Sequence, residues 1–213
     1  MLLIKNPVKT KFYMFPKLSS TIHKAIELNI PEERKEILQP LIDYIQHKID
    51  SNQTVNLNFI CTHNSRRSQF SQIWAQTAAD YFGVPTKCFS GGIEVTEFNE
   101  RAVASIKRSG FSITSKGEMN PVYFISNSED KEPIIAFSKL FDDPANRADQ
   151  FAAIVTCSHA EENCPFIPGA EKRISVRYDD PKEFDDTPKE TQMYDERSLQ
   201  IAAEMFYVFS KIV

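Results

Sequence analysis

Cys61 and Arg67 close the two ends of a seven-residue loop, with Ser68 next, in the segment Cys61-Thr62-His63-Asn64-Ser65-Arg66-Arg67-Ser68. A strand candidate, VNLNFI, precedes it and a helical pattern follows. A loop that opens a helix turns its backbone N–H groups inward, and the helix adds partial positive charge, so the segment can form a cup for a tetrahedral oxyanion. Arg67 adds a planar fork for two anion oxygens. The same field favours thiolate at Cys61, which makes that sulfur a nucleophile. Ser68 or Ser65 can donate a hydrogen bond to it, Asn64 can brace the loop, and His63 can tune its charge. A buried thiol and a surface arginine would produce the same letters. The flanking strand and helix, with Ser68, argue for the cup. No GxxxxGK[ST] pattern occurs, which argues against a nucleotide-phosphate loop of that kind.

An attacked oxyanion must lose a poor leaving group, and a carboxylic acid can protonate it. Asp180 is the candidate. It precedes Pro181, which biases it to extended backbone, and Asp179 is its neighbour and competitor. A solvated acidic turn is the plain alternative, and Asp185-Asp186 offers another such turn.

Cys157 and Cys164 lie seven residues apart. In a continuous helix that separation is about 10.5 Å along the axis. A disulfide needs Cα atoms about 4.4–6.8 Å apart, so the pair can bond only if the segment loops or unwinds. It is a candidate redox switch. Two structural thiols would also explain it. A zinc site on Cys157, His159 and Cys164 lacks an obvious fourth ligand and has an unusual spacing. Cys88 falls within a strand and reads as buried and inert, while His23 and His47 fall on helices.

These residues need elements to hold them. Residues 1–18 show no clear period. Ser19 and Ser20 can cap a helix through Leu28, and Pro31-Glu32-Glu33 opens a second whose apolar positions run from Ile37 to Ile49, with Pro40 inside it. From Val55 onward strands and helices alternate. Strands are expected at 55–60, 87–90 (closed by Gly91-Gly92), 151–157 and 173–178. Helices are expected from Phe70 to Tyr81, over 98–109 and from Ile201 to the end. Residues 122–126 and 135–140 read as a hairpin inserted in the main sheet. This grammar predicts an α/β fold, a parallel four-stranded sheet flanked by helices, carried by 53–213, with an N-terminal helical extension over 1–52. Ligands of such sheets sit beyond the strands' carboxyl ends, where Cys61, Cys157 and Asp179-Asp180 would gather.

The chain's 213 residues suit one domain, or one domain with an attached subdomain. With 25 Lys and Arg against 29 Asp and Glu, its net charge of −4 lacks the basic surplus that holds nucleic acid. No apolar run is long enough to span a membrane, and the N-terminus lacks the h-region of a signal peptide. Four cysteines do not make a disulfide scaffold. The expectation is a cytoplasmic protein with no cofactor and no metal, binding neither nucleic acid nor membrane.

The motifs together resemble the low-molecular-weight protein tyrosine phosphatase superfamily, and within it the thioredoxin-coupled arsenate reductases. Cys61-Thr62-x-Asn64-Ser65-x-Arg67-Ser68 fits their anion loop, Thr156-Cys157-Ser158 through Asn163-Cys164-Pro165 their redox segment, and Tyr178-Asp179-Asp180-Pro181 their acid loop. The resemblance covers about 55–213. It implies oxyanion binding by residues 62–68 (Thr62, His63, Asn64, Ser65, Arg66, Arg67 and Ser68). It also implies a relay in which Cys61 attacks arsenate, Cys157 attacks Cys61, Cys164 attacks Cys157, and thioredoxin reduces the disulfide. The chain departs from the pattern in three places. His63 replaces a small residue, Arg66 stands where many relatives carry a second cysteine, and Gln72 stands where potassium-binding relatives carry an acid, which argues against a potassium site.

Arsenate reduction is therefore the leading expectation. A phosphatase acting on phosphotyrosine or a small phosphoester is the near rival, since the loop serves both anions. Against it, Lys182 follows Asp-Pro where phosphatase relatives usually carry an aromatic, and the cysteine pair has no use in hydrolysis. A non-catalytic oxyanion-binding regulator is the third reading.

Overall fold

The computed structural model describes residues 13–146, 150–163 and 167–213. Cys164 thus lies outside the described residues, as does most of the N-terminal arm. Two helices come first, α1 (Pro16–Glu27) and α2 (Glu32–Asp50). They are followed by β1 (Val55–Cys61), α3 (Arg67–Phe82), β2 (Thr86–Gly92) and α4 (Glu100–Ser109). Next come β3 (Ser112–Lys116), β4 (Val122–Ser126) and β5 (Ile134–Ala136). The chain closes with β6 (Phe151–Val155), α5 (Ser158–Asn163), β7 (Ala170–Ser175) and α6 (Glu190–Ser210).

The main sheet has the order β2-β1-β6-β7 with every pair parallel, as the strand–helix alternation predicts. Its two central strands are buried almost throughout, the mark of strands covered on both faces; β6 is entirely apolar, while β1 carries Asn56 and Asn58. Trp74 of α3 and Phe206 of α6 meet edge to face at 6.5 Å, and the Trp74 indole donates to Ser198 Oγ at 2.9 Å. That bond meets the polar need of a fully buried ring. Leu18 and Ile22 of α1 and Leu38, Leu41 and Ile45 of α2 belong to the same core as Phe59, Trp74 and Phe206.

Four local expectations change. The hairpin of β4 and β5 is not part of the main sheet. With β3, which the sequence reading did not identify, it forms a separate antiparallel sheet of order β3-β4-β5. An isolated parallel bridge joins Gly92 of β2 to Leu140, in the segment that follows β5. A parallel sheet accepts a new strand only at a free edge, and local antiparallel pairing closes sooner. The last strand begins at Ala170 and ends at Ser175, earlier than 173–178. Ile174, Val176 and Tyr178 keep the buried alternation that suggested it, and the Val176 and Tyr178 amides still bond to Val155 and Thr156. The first helix starts at Pro16 rather than after Ser19 and Ser20, because Pro suits a first turn, and Ser20 Oγ instead bonds back to the Pro16 carbonyl at 3.2 Å. Strand β2 runs through Gly91 and Gly92 instead of ending before them.

The glycine pair has a packing reason. A Cβ on Gly91 would lie 2.2 Å from the Phe141 Cα. One on Gly92 would lie 2.8 Å from the Thr62 carbonyl oxygen and 2.9 Å from the Asn64 nitrogen. Only glycine lets β2 pass this close to the loop after β1.

Candidate active site

The site lies beyond the carboxyl ends of β1 and β6. Cys61 is the last residue of β1 and is 4% exposed. The chain then turns through residues 62–66 and enters α3 at Arg67. Asn64 makes the turn with a φ of 48°, a left-handed conformation that asparagine tolerates better than most residues. Its side chain braces the loop, as expected. Oδ1 accepts from the Lys139 backbone N–H at 3.1 Å, which fixes the amide orientation, and Nδ2 donates to Ser68 Oγ at 2.9 Å. The Asn64 carbonyl accepts from Gln69 Nε2 at 2.9 Å.

Ser68, fully buried, lies 3.0 Å from Cys61 Sγ. Since its oxygen accepts from Asn64, its single proton is free to point at the sulfur. Ser68, not Ser65, is the serine at the thiol. Ser65 Oγ donates instead to the Glu97 carbonyl at 2.7 Å. Among the described residues, the backbone N–H groups of His63 to Arg66 donate to no protein acceptor. Unpaired loop amides ahead of a helix of 16 residues form a positive rim suited to an anion.

Arg67 and the acid meet across the sheet end. Arg67 Nη2 donates to Asp180 Oδ2 at 2.6 Å and Nη1 to the Tyr178 carbonyl at 3.0 Å. Asp180 also caps the short 3-10 turn Pro181–Phe184 by accepting from the Lys182 N–H at 3.1 Å. Asp179 points elsewhere, its mostly exposed carboxylate 3.0 Å from Arg197. Of the two candidate acids, Asp180 is the one beside the arginine fork.

The other loop side chains have separate partners. Arg66 reaches away toward the acid loop, donating to Tyr194 Oη at 2.7 Å and lying 3.3 Å from Asp185 Oδ2. Its guanidinium therefore fastens the loop to the start of α6, and any contribution it makes to an anion comes through its backbone. His63 pairs with Glu94 at 3.3 Å.

Cys157 is 2% exposed and sits at the end of β6. It shares a small buried cluster with Ile60, Cys61, Phe151, Val155, Ala160 and Ile167. Its sulfur lies 3.5 Å from Thr62 Oγ1 and accepts from the Ala160 N–H at 3.4 Å. Thr62 Oγ1 is also 3.2 Å from His159 Nδ1. The segment between the two redox candidates is helical from Ser158 to Asn163.

Cys88 stands apart. Burial, with a smaller push from Asp80, holds its thiol well above the ordinary range, as suits an inert sulfur. Gln72 has both ends of its amide engaged, accepting from Ser90 Oγ at 2.6 Å and donating to the Ile135 carbonyl at 3.1 Å. Among the described residues no three or more His, Cys, Asp and Glu side chains gather in a way that would hold a metal ion. No described helix is long and apolar enough to cross a membrane.

Three contributors were not anticipated. The Tyr178 carbonyl orients Arg67, Gln69 locks Asn64, and Gly92 makes room for the loop. Gly91-Gly92 after a strand was the signal for the third. The Tyr178 contact spans 111 residues and the Gln69 contact only five, and neither has a sequence mark.

The fold is a four-stranded parallel sheet of order β2-β1-β6-β7 with a loop rich in unpaired amides at the carboxyl end of β1. No family model matches the chain. Curated relatives include an arsenate reductase of Brevibacillus brevis, 32% identical over 124 residues, or 58% of this chain and 74% of that protein. An arsenate reductase of Bacillus subtilis is 30% identical over 140 residues, 65% of this chain and 83% of that protein. Among solved structures, a low molecular weight protein tyrosine phosphatase from T. tengcongensis aligns over 74% of this chain and 99% of its own, with a TM-score of 0.49 and 17% identity. An arsenate reductase in a phosphate-binding state aligns over 75% of this chain and 99% of its own, with a TM-score of 0.48 and 18% identity.

The chain belongs to the arsenate reductase family. It is an enzyme of the arsenate reductase type.

Proposed function

We propose that the protein reduces arsenate to arsenite by a cysteine relay. The observation that supports this best is the position of Cys157. A second thiol is buried at the rim of the anion cup, its sulfur within 3.5 Å of the hydroxyl of Thr62, the residue next to Cys61. Hydrolysis of a phosphoester has no use for it.

In this reading the loop amides and Arg67 hold arsenate. The Cys61 thiolate attacks arsenic, and an oxygen leaves as water with a proton from Asp180. The Cys157 thiolate then attacks Cys61 Sγ. The sulfur–arsenic bond breaks, its electron pair goes to arsenic, and arsenite departs, leaving a Cys61–Cys157 disulfide. Arsenic(V) gains two electrons and two thiols lose one each. Cys164 attacks Cys157 and frees Cys61, and a thioredoxin-like dithiol reduces the Cys157–Cys164 disulfide. A continuous helix across seven residues would hold two Cα atoms about 10.5 Å apart, beyond disulfide reach, so this last exchange requires the segment to loop or unwind.

The test is arsenate turnover with thioredoxin and its reductase, in wild type, Cys157→Ser and Cys164→Ser. Both variants are expected to lose turnover while keeping weak aryl phosphate hydrolysis. Normal cycling by either would overturn the relay. One equivalent of arsenate without reductant should consume two thiols and leave Cys88 free. Phosphatase action is the second reading, favoured by the Arg67–Asp180 contact, which serves phosphoryl transfer equally. It predicts turnover of aryl phosphate in every variant and none of arsenate.

A further inference from the structure

Cys157 must lose a proton before it can attack, yet the residue is 2% exposed and belongs to a buried cluster with Ile60, Phe151, Val155 and Ile167. It cannot hand the proton directly to water. We propose that His159 is the base that deprotonates Cys157, acting through the hydroxyl of Thr62. The proposal rests on the relay reading above and assigns it a further catalytic pair.

Thr62 Oγ1 stands 3.5 Å from Cys157 Sγ on one side and 3.2 Å from His159 Nδ1 on the other. A hydroxyl can accept one proton and donate another, so it bridges the two without holding charge. Cys157 S–H donates to Thr62 Oγ1, and Thr62 O–H donates to Nδ1 of a His159 ring protonated at Nε2. A concerted shift moves the thiol proton to Oγ1 and the hydroxyl proton to Nδ1. The products are a thiolate and an imidazolium, and Thr62 is unchanged. No electron leaves the system, and no other reactant is needed.

The local backbone makes this arrangement. Thr62 follows Cys61 at the end of β1, while Cys157 and His159 bracket the start of α5. Parallel pairing of β1 with β6 brings the two strand ends side by side. His159 is exposed, so its proton passes on to solvent. The thiolate left behind accepts from the Ala160 N–H at 3.4 Å. Other charged groups near this end of the sheet have their own partners. His63 pairs with Glu94, Arg67 with Asp180, Arg34 with Glu204 and Asp179 with Arg197.

The experiment uses the full chain carrying Cys164→Ser, which traps the Cys61–Cys157 disulfide. One equivalent of arsenate is added at neutral pH, and disulfide formation is followed by quenched-flow mass spectrometry. His159→Gln, which keeps an acceptor but no base, should slow that step about tenfold, equivalent to about 1.4 kcal/mol. Aryl phosphate hydrolysis should be unchanged. In His159→Ala, added imidazole should restore the rate, which a merely structural histidine would not allow. Thr62→Ser should retain the step, and Thr62→Val should lose it without rescue by imidazole. Equal rates in wild type and His159→Gln, or no rescue by imidazole, would overturn the assignment.

If arsenate yields no disulfide even with His159 intact, the relay reading fails, and the proton path is tested separately. Iodoacetamide then labels Cys157 in Cys61→Ser protein, read peptide by peptide. The path predicts about tenfold slower labelling in His159→Gln and recovery with imidazole in His159→Ala. Unchanged labelling would refute it.

Discussion

Replacing Ser68 by alanine tests the hydrogen-bond logic of the cup most directly. Ser68 Oγ lies 3.0 Å from Cys61 Sγ and accepts from Asn64 Nδ2 at 2.9 Å. The Asn64 amide cannot be turned round, because its oxygen accepts from the Lys139 N–H. The Ser68 proton therefore stabilises the Cys61 thiolate. Hydrogen bonds to charged groups contribute about 1.5–3 kcal/mol. At about 1.4 kcal/mol per factor of ten, Ser68→Ala should slow iodoacetamide labelling of Cys61 at neutral pH by about ten- to a hundredfold. Arsenate and aryl phosphate turnover should fall together, since both need the same thiolate. The substitution also leaves a buried amide N–H of Asn64 without a partner, which costs about 1–3 kcal/mol in urea unfolding. A folded Ser68→Ala protein that is labelled at the wild-type rate would refute the assignment of donor and acceptor.

Gly92→Ala should cost about 1–3 kcal/mol in urea unfolding and depress turnover, because its Cβ would meet the Thr62 carbonyl at 2.8 Å and the Asn64 nitrogen at 2.9 Å, both backbone atoms of the cup. Arg34→Ala should lower stability by about 3 kcal/mol. Arg34 holds the buried Glu204 carboxylate through contacts of 2.9 and 2.6 Å, and Glu204 in turn accepts from Tyr178 Oη at 2.8 Å. Turnover should fall as well, because Tyr178 carries the carbonyl that orients Arg67, and unchanged kinetics would separate α2 from the site. Burial pushes the Lys139 amine down from 10.5 to about 8, opposed in part by Asp143. The unfolded chain then keeps a proton that the native one sheds between those values, so stability should rise with pH across that window. Below it the buried ammonium costs roughly 3 kcal/mol. Lys139→Met should flatten the slope in thermal unfolding scans from pH 7 to 11.

The anion loop was legible because its chemistry is local. Cys61, Asn64, Arg67 and Ser68 fall within eight consecutive positions, and a strand feeding a helix fixes their relation through backbone geometry alone. The parallel sheet was legible for a similar reason, since two-sided burial leaves an apolar run in β6, and strands alternate with helices along the chain. The small sheet was misplaced because the short strands β4 and β5 pair equally well on the main sheet or beside it, and their own residues do not say which.

By itself the sequence determined which groups could react: a thiol before a helix, an arginine fork, an Asp-Pro acid and a second pair of thiols. Composition and order carry that information, because side-chain chemistry travels with the residue. Only the tertiary structure decided which of them meet. Asp180 rather than Asp179 faces Arg67, Ser68 rather than Ser65 serves the sulfur, and Arg66 turns to Tyr194 and Asp185. Those choices depend on distances between residues as many as 128 positions apart. Such distances are set by strand register, helix packing and the space that Gly92 leaves open, and no local pattern encodes them.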